Sequence, residues 1–88
     1  MSRVKAGRHK RLAEKLKKLR LGLGFTHAEM FDALQRKLPG DIILYLGYIT
    51  RYEAGTRIPS VWVLLAYARV GKISLETLID DELDLTSK

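Results

Sequence analysis

The chain has 88 residues, 47% of them apolar and 30% charged, which fits one globular domain and leaves no room for a second core. It has no cysteine, so a disulfide framework, a thiolate metal site and a cysteine nucleophile are excluded. The formal net charge of +6 is unevenly spread: residues 1–20 hold nine Lys or Arg against Glu14 alone, while residues 73–88 hold five acids against Lys88 alone.

A chain polarised in this way is drawn to a polyanion by one end and repelled by the other. The plainer reading of the same charges is a solvated lysine-rich helix followed by a soluble acidic tail. No apolar run approaches the roughly 18 residues needed to span a bilayer. The basic start has no apolar segment behind it, as a signal peptide would require. The expectation is a cytoplasmic protein with no membrane partner, organised as a flexible basic arm (1–6), a helical domain (7–80) and an acidic tail (81–88).

The first helix is predicted from about Gly7 to Arg20 or Leu21. Leu12, Leu16, Leu19 and Leu23 recur at steps of four, three and four, which makes one apolar stripe. Arg8, Lys10, Arg11, Lys15, Lys17 and Lys18 cover the remaining faces. Gly22 and Gly24 are expected to end it, because glycine enters the left-handed cap conformation cheaply.

The second helix has the clearest start signal. Thr26 is a good N-cap and Glu29 follows three residues later, the pattern of a capping box. Phe25 and Met30 are placed for a hydrophobic staple. Pro39 and Gly40 break the helix after Lys37 or Leu38. Residues 41–46 are rich in β-branched and aromatic types and could pass for a strand. Tyr45, Tyr48, Ile49 and Tyr52 nevertheless lie at helical spacing, and Gly55 is a good stop. The reading is a third helix over 45–54, with irregular chain or a short turn before it.

Ser60 is expected to cap a fourth helix from Val61 to about Val70. Its Val61, Val63, Leu64, Leu65, Ala66, Ala68 and Val70 make it apolar on most faces, hence central. Gly71 is expected to stop it. Ser74 then caps a short fifth helix through Leu75, Leu78 and Ile79. Five short helices make a compact all-α bundle.

The chain resembles the helix-turn-helix domain of phage repressor and Cro proteins, the XRE family, which is widespread among bacterial regulators. The residues that carry the likeness stand in order. Leu19-Arg20 and Leu23-Gly24-Phe25-Thr26 lead into His27-Ala28-Glu29-Met30. Tyr48-Ile49-Thr50-Arg51-Tyr52-Glu53-Ala54-Gly55 follows, then Arg57 and Pro59-Ser60. Leu64-Leu65-Ala66-Tyr67-Ala68, Gly71 and Ser74-Leu75-Glu76-Thr77-Leu78-Ile79 complete the run, which covers roughly residues 8–80.

The resemblance implies a lambda-repressor-like five-helix bundle whose third helix enters the major groove while the second crosses the phosphate backbone. Carried over by position, the base-contact candidates are Leu46, Gly47, Tyr48 and Arg51. The planar fork of Arg51 suits the O6 and N7 acceptors of guanine. A phosphate contact or plain solvation are the other readings of that arginine. The backbone-contact candidates are Thr26, His27, Tyr45, Thr50, Thr56, Arg57 and Arg8. His27 stands where the family often has a phosphate-binding glutamine, and a solvent-facing histidine with no role is the alternative. Arg20 and Glu53 are expected as a partly buried structural ion pair.

The chain departs from the family at one place. About eight extra residues, around Lys37 to Leu44, separate the second and third helices where a tight turn is usual. The position of Phe31 is also usually small. Phe31 and the longer turn can compensate each other, with Ile42, Ile43 or Leu44 filling the widened gap.

The expected function is a sequence-specific regulator of transcription, a homodimeric repressor on double-stranded DNA. Residues 42–48 and the C-terminal helix are the candidate dimer surfaces. The alternative is an antitoxin or another protein-interaction module that binds a toxin or regulator. An enzyme is not expected, since no phosphate loop, nucleophile elbow or acid–base pair is present. No cofactor and no metal are expected.

Overall fold

The computed structural model describes residues 3–80, with side chains from residue 11 onward. Five helices follow one another: α1 (Arg3–Gly22), α2 (His27–Lys37), α3 (Leu46–Ala54), α4 (Val61–Gly71) and α5 (Leu75–Ile79). There is no strand among the described residues. Helix α1 packs on α3 and α5, α2 on α3 and α4, and α4 on α5.

One core draws on all five helices. It comprises Leu16 of α1, Met30 and Leu34 of α2, Ile49 and Tyr52 of α3, Val63, Ala66 and Tyr67 of α4, and Leu78 of α5. Leu44, from the long connection between α2 and α3, joins them. That connection resolves the ambiguous apolar run. Leu38, before Pro39, is extended at φ −89°, ψ 148°, as the residue preceding a proline prefers. The amide of Ile42 closes a turn on the Pro39 carbonyl at 3.0 Å. Of the three residues expected to fill the gap, Leu44 is buried and Ile42 half-buried, while Ile43 points outward. Phe31 packs half-buried against the same core.

The helix ends follow from local chemistry. The capping box at α2 is complete: the amide of Glu29 donates to Thr26 Oγ1 at 3.1 Å, and the amide of Thr26 donates to Glu29 Oε1 at 2.8 Å. Ser60 and Ser74 cap α4 and α5 through their hydroxyl oxygens. Three helices close with the same turn, in which the amide five residues along reaches back over a left-handed residue. These amide-to-carbonyl bonds are Phe25 to Arg20, Thr56 to Arg51 and Ile73 to Ala68. Gly24 and Gly55 take the left-handed position in the first two.

Four expectations are corrected here. Helix α1 begins at Arg3, so residues 3–6 of the expected arm are helical. Leu23 is exposed, since the chain has already turned out of the helix. Helix α4 is less central than its composition suggests: Val61 and Trp62 are exposed at its start. Finally, Gly71 does not provide the left-handed stop. It is the last residue of α4, and Lys72 takes the left-handed conformation at φ 58°. A Cβ at position 71 would lie 2.6 Å from Leu19 Cδ1. The glycine is thus committed to the contact between α1 and α4, and the strained turn falls one residue later. Outside the described residues lie the expected acidic tail, 81–88, and the side chain of Arg8.

A left-handed lysine carries about 1 kcal/mol of strain that glycine lacks. Lys72→Gly is therefore expected to raise the free energy of unfolding by about that amount in urea denaturation. Unchanged or lower stability would contradict this account of the α4 terminus.

Candidate nucleic-acid interface

The inner side of α3 is fixed by Ile49 and Tyr52, both buried in the core. Its outer side consists of Leu46, Gly47, Thr50, Arg51 and Ala54, all exposed. These positions fall on one helical face, and no acid stands among them. A Cβ placed on Gly47 would meet nothing within 4 Å, so the backbone is open to close approach there.

Glu53 lies at the edge of this face and is held from three directions. Arg20 Nε donates to Oε2 at 2.7 Å, and Arg20 Nη2 donates to Oε1 at 3.0 Å. The third contact is His27 Nε2, 3.3 Å from Oε1. Arg20 Nη1 also donates to the Phe25 carbonyl at 2.8 Å. The two side chains of the ion pair are only 9% and 6% exposed. One guanidinium therefore ties the end of α1, the entry to α2 and the end of α3. Its pKa is raised, first by the hydrogen bond to Glu53, against the opposing effect of burial.

An open cleft of about 290 Å³ lies beside this pair, bounded by Lys17, Arg20, His27, Thr50, Glu53 and Ala54. It runs from the start of α2 to the exposed side of α3. The His27 ring is half exposed at its mouth. Lys17 joins the site although its place in the basic run of α1 did not single it out. Thr26 stands at the start of α2 with its hydroxyl oxygen engaged by the Glu29 amide.

At the other end of α3, Tyr45, Tyr48, Tyr52 and Tyr67 form a row from surface to core, with ring centroids 5.1, 6.1 and 6.4 Å apart in turn. The Arg57 guanidinium stacks on Tyr48 at 3.7 Å from the ring centroid. Tyr48 is half-buried and lies off the exposed face that Leu46, Gly47 and Arg51 share. Tyr45 is exposed and Thr56 hydrogen-bonds the Arg51 carbonyl, so both border that face. Burial pushes the Tyr52 phenol up, with Arg57 pulling the other way. Burial also pushes the Tyr67 phenol up strongly, with Glu53 and Tyr52 adding to the effect and Arg20 opposing it. The Tyr67 hydroxyl has no hydrogen-bond partner among the described residues.

Part of the basic charge is used inside the protein. Lys15, expected on the solvated side of α1, is buried. Its ammonium donates to the Thr77 carbonyl at 2.9 Å and to the Asp80 carbonyl. These groups form the C-terminal end of α5, where a cation is favoured. Lys17 and Lys18 remain exposed on α1.

Comparison of the sequence with family profiles, curated proteins and solved structures finds no match. Among the described residues, no three His, Asp or Glu stand together as a metal site. None of the described helices is long and apolar enough to cross a membrane.

Glu53→Ala would leave the buried Arg20 charge without its carboxylate, at a cost of about 3–5 kcal/mol in urea denaturation. A loss below about 1 kcal/mol, the range of an exposed pair, would contradict the central place given to this pair. The raised phenols carry a sign of their own. A group whose folded pKa lies above its unfolded value stabilises fully below the unfolded value and loses that contribution as pH rises. For Tyr52 and Tyr67 the window opens near the ordinary tyrosine value of about 10. Thermal melts should show no contribution from these two groups to pH dependence near neutrality, and a fall in Tm above pH ~10 that is smaller in Tyr67→Phe.

Proposed function

We propose that this chain is a sequence-specific regulator of transcription that binds double-stranded DNA as a homodimer, with a lambda-repressor-like fold of the phage repressor and Cro type. The observation that carries the reading is the exposed, acid-free face of α3, continuous with a cleft bordered by Lys17, His27 and Thr50. In this reading α3 lies in the major groove and the start of α2 meets the phosphate backbone. Arg51 projects from the exposed face and reads guanine with its two-pronged donor edge. Gly47 admits the DNA close to the helix, and Leu46 offers an apolar contact for a thymine methyl. Thr50 and His27 meet phosphate at the cleft, and Lys17 adds charge. Tyr45 and Thr56 make further backbone contacts at the borders of the face.

One role differs from the simplest positional transfer. Tyr48 acts behind the face rather than on it, by holding the Arg57 guanidinium flat on its ring. Arg57 is thereby pre-set towards a phosphate instead of free to rotate. Glu53 serves the interface indirectly, by fixing α3 against α1 and the start of α2. Repression follows if the operator overlaps a promoter, because the bound dimer occupies the groove that polymerase must approach.

The test is an anisotropy titration with duplex DNA, first random and then enriched by binding-site selection, at two salt concentrations. The logarithm of affinity should fall with the logarithm of salt by about 0.9 for each phosphate neutralised. On the selected site Arg51→Ala should cost about 1–3 kcal/mol and relax the preference at one base pair. Lys17→Ala should weaken all sequences alike and reduce the salt slope by about 1. No binding at low salt, or binding indifferent to salt, would overturn the proposal.

A further inference from the structure

A second groove lies away from α3, between the end of α2 and the outer side of α4. It encloses about 310 Å³ and is lined by Lys37, Leu38, Pro39, Trp62, Leu65 and Arg69. Its walls are apolar, two cations stand in its lining, and no acid does. Trp62, the single tryptophan of the chain, is 50% exposed in it. Exposed Ile58 and Val61 precede it in the chain. A large aromatic left half in water beside a proline and two leucines is the composition of an interface anchor.

The pairing of apolar walls with cations calls for a short acidic segment that also carries aliphatic side chains. Residues 81–85, Asp-Glu-Leu-Asp-Leu, hold three acids and two leucines. In an extended segment Leu83 and Leu85 fall on one side, with Glu82 and Asp84 on the other. In that arrangement the leucines would match Trp62, Leu65 and Leu38, and Glu82 and Asp84 would match Lys37 and Arg69. The segment follows Asp80, whose carbonyl is held by Lys15 of α1. The chain thus leaves the bundle at the end of α5, which packs on both α1 and α4, while the groove lies at the seam of α2 and α4. A second copy offers the same segment and the same groove, so an exchange in both directions is self-complementary, as a two-fold interface requires.

We propose that the groove between α2 and α4 receives residues 81–85 of a second copy of this chain, and that the reciprocal exchange closes a two-fold dimer. The inference deepens the homodimer of the proposed function, but its readouts contain no DNA, so the two fail separately. An interface this small and this charged sits at the weak end of association, with Kd on the order of micromolar.

The experiment uses the full chain and the fluorescence of Trp62, with sedimentation velocity alongside. As concentration rises through Kd, monomer should convert to dimer, the emission of Trp62 should shift to the blue, and acrylamide quenching should be lost. About 0.5 M salt should weaken the dimer roughly tenfold. Two charge-reversed chains give the sharper arm: one carries Lys37→Glu and Arg69→Glu, the other Asp81→Lys, Glu82→Lys and Asp84→Lys. Each alone should stay monomeric with Trp62 quenchable, its helical circular dichroism intact. Their mixture should dimerise and shield Trp62, because each segment then meets a groove of opposite charge. Shielding that does not depend on concentration would place the segment in its own groove and overturn the proposal. So would a dimer that leaves Trp62 quenchable, a groove shielded only by a different protein, or a mixture that stays monomeric.

Discussion

The bidentate pair of Arg20 and Glu53 is the interaction on which the rest of the structure depends. Two nearly buried charges are stable together only when their hydrogen bonds are met, and here the guanidinium has its remaining contact on the Phe25 carbonyl. The consequence is geometric. Arg20 sits at the end of α1, Phe25 at the entry to α2 and Glu53 near the end of α3, so one group sets the mutual placement of three helices. The cleft beside the pair and the exposed side of α3 inherit that placement. A surface meant to match a rigid partner such as a duplex needs this kind of support, because its contacts are lost by small misplacements.

The long connection between α2 and α3 belongs to the same construction. A tight turn would bring the two helices together over a small residue, whereas Phe31 stands half-buried on the α2 side. Leu44 is returned to the core from the far end of the connection, and it seals the space that a longer loop opens. The extra chain thereby remains part of the packed domain while presenting Ile43, Tyr45 and Leu46 outward. The tyrosine row behind α3 completes the support, passing from exposed Tyr45 to fully buried Tyr67, with Arg57 laid across it.

Features encoded locally could be read from the sequence. The capping box of α2 is visible as Thr26 and Glu29 at the right spacing, and the stops at Gly24 and Gly55 are visible because left-handed turns favour glycine. Five helices and one core follow from the same signals. What escaped was tertiary. Gly71 looks like a stop, but its role is set by Leu19, which lies 52 positions away in sequence and is in contact only after folding. Lys15 looks solvent-facing until α5 brings its carbonyls to the ammonium. His27 and Lys17 become parts of one cleft only once α1 and α3 have docked. Tyr48 sits within one step of the exposed face, and a neighbouring aromatic row decides which side it takes. Trp62 shows how composition misleads in a small bundle: α4 reads as apolar on most faces, yet a domain of this size leaves the start of it uncovered.

The proposed interface is tested residue by residue with two-dimensional amide NMR, by adding duplex DNA to the labelled chain. The account predicts that the largest shifts fall on residues 46–51, on Thr26 and His27, and on 54–57, with the α4 and α5 amides nearly still. Shifts centred on Trp62 and the outer side of α4, with α3 silent, would contradict it.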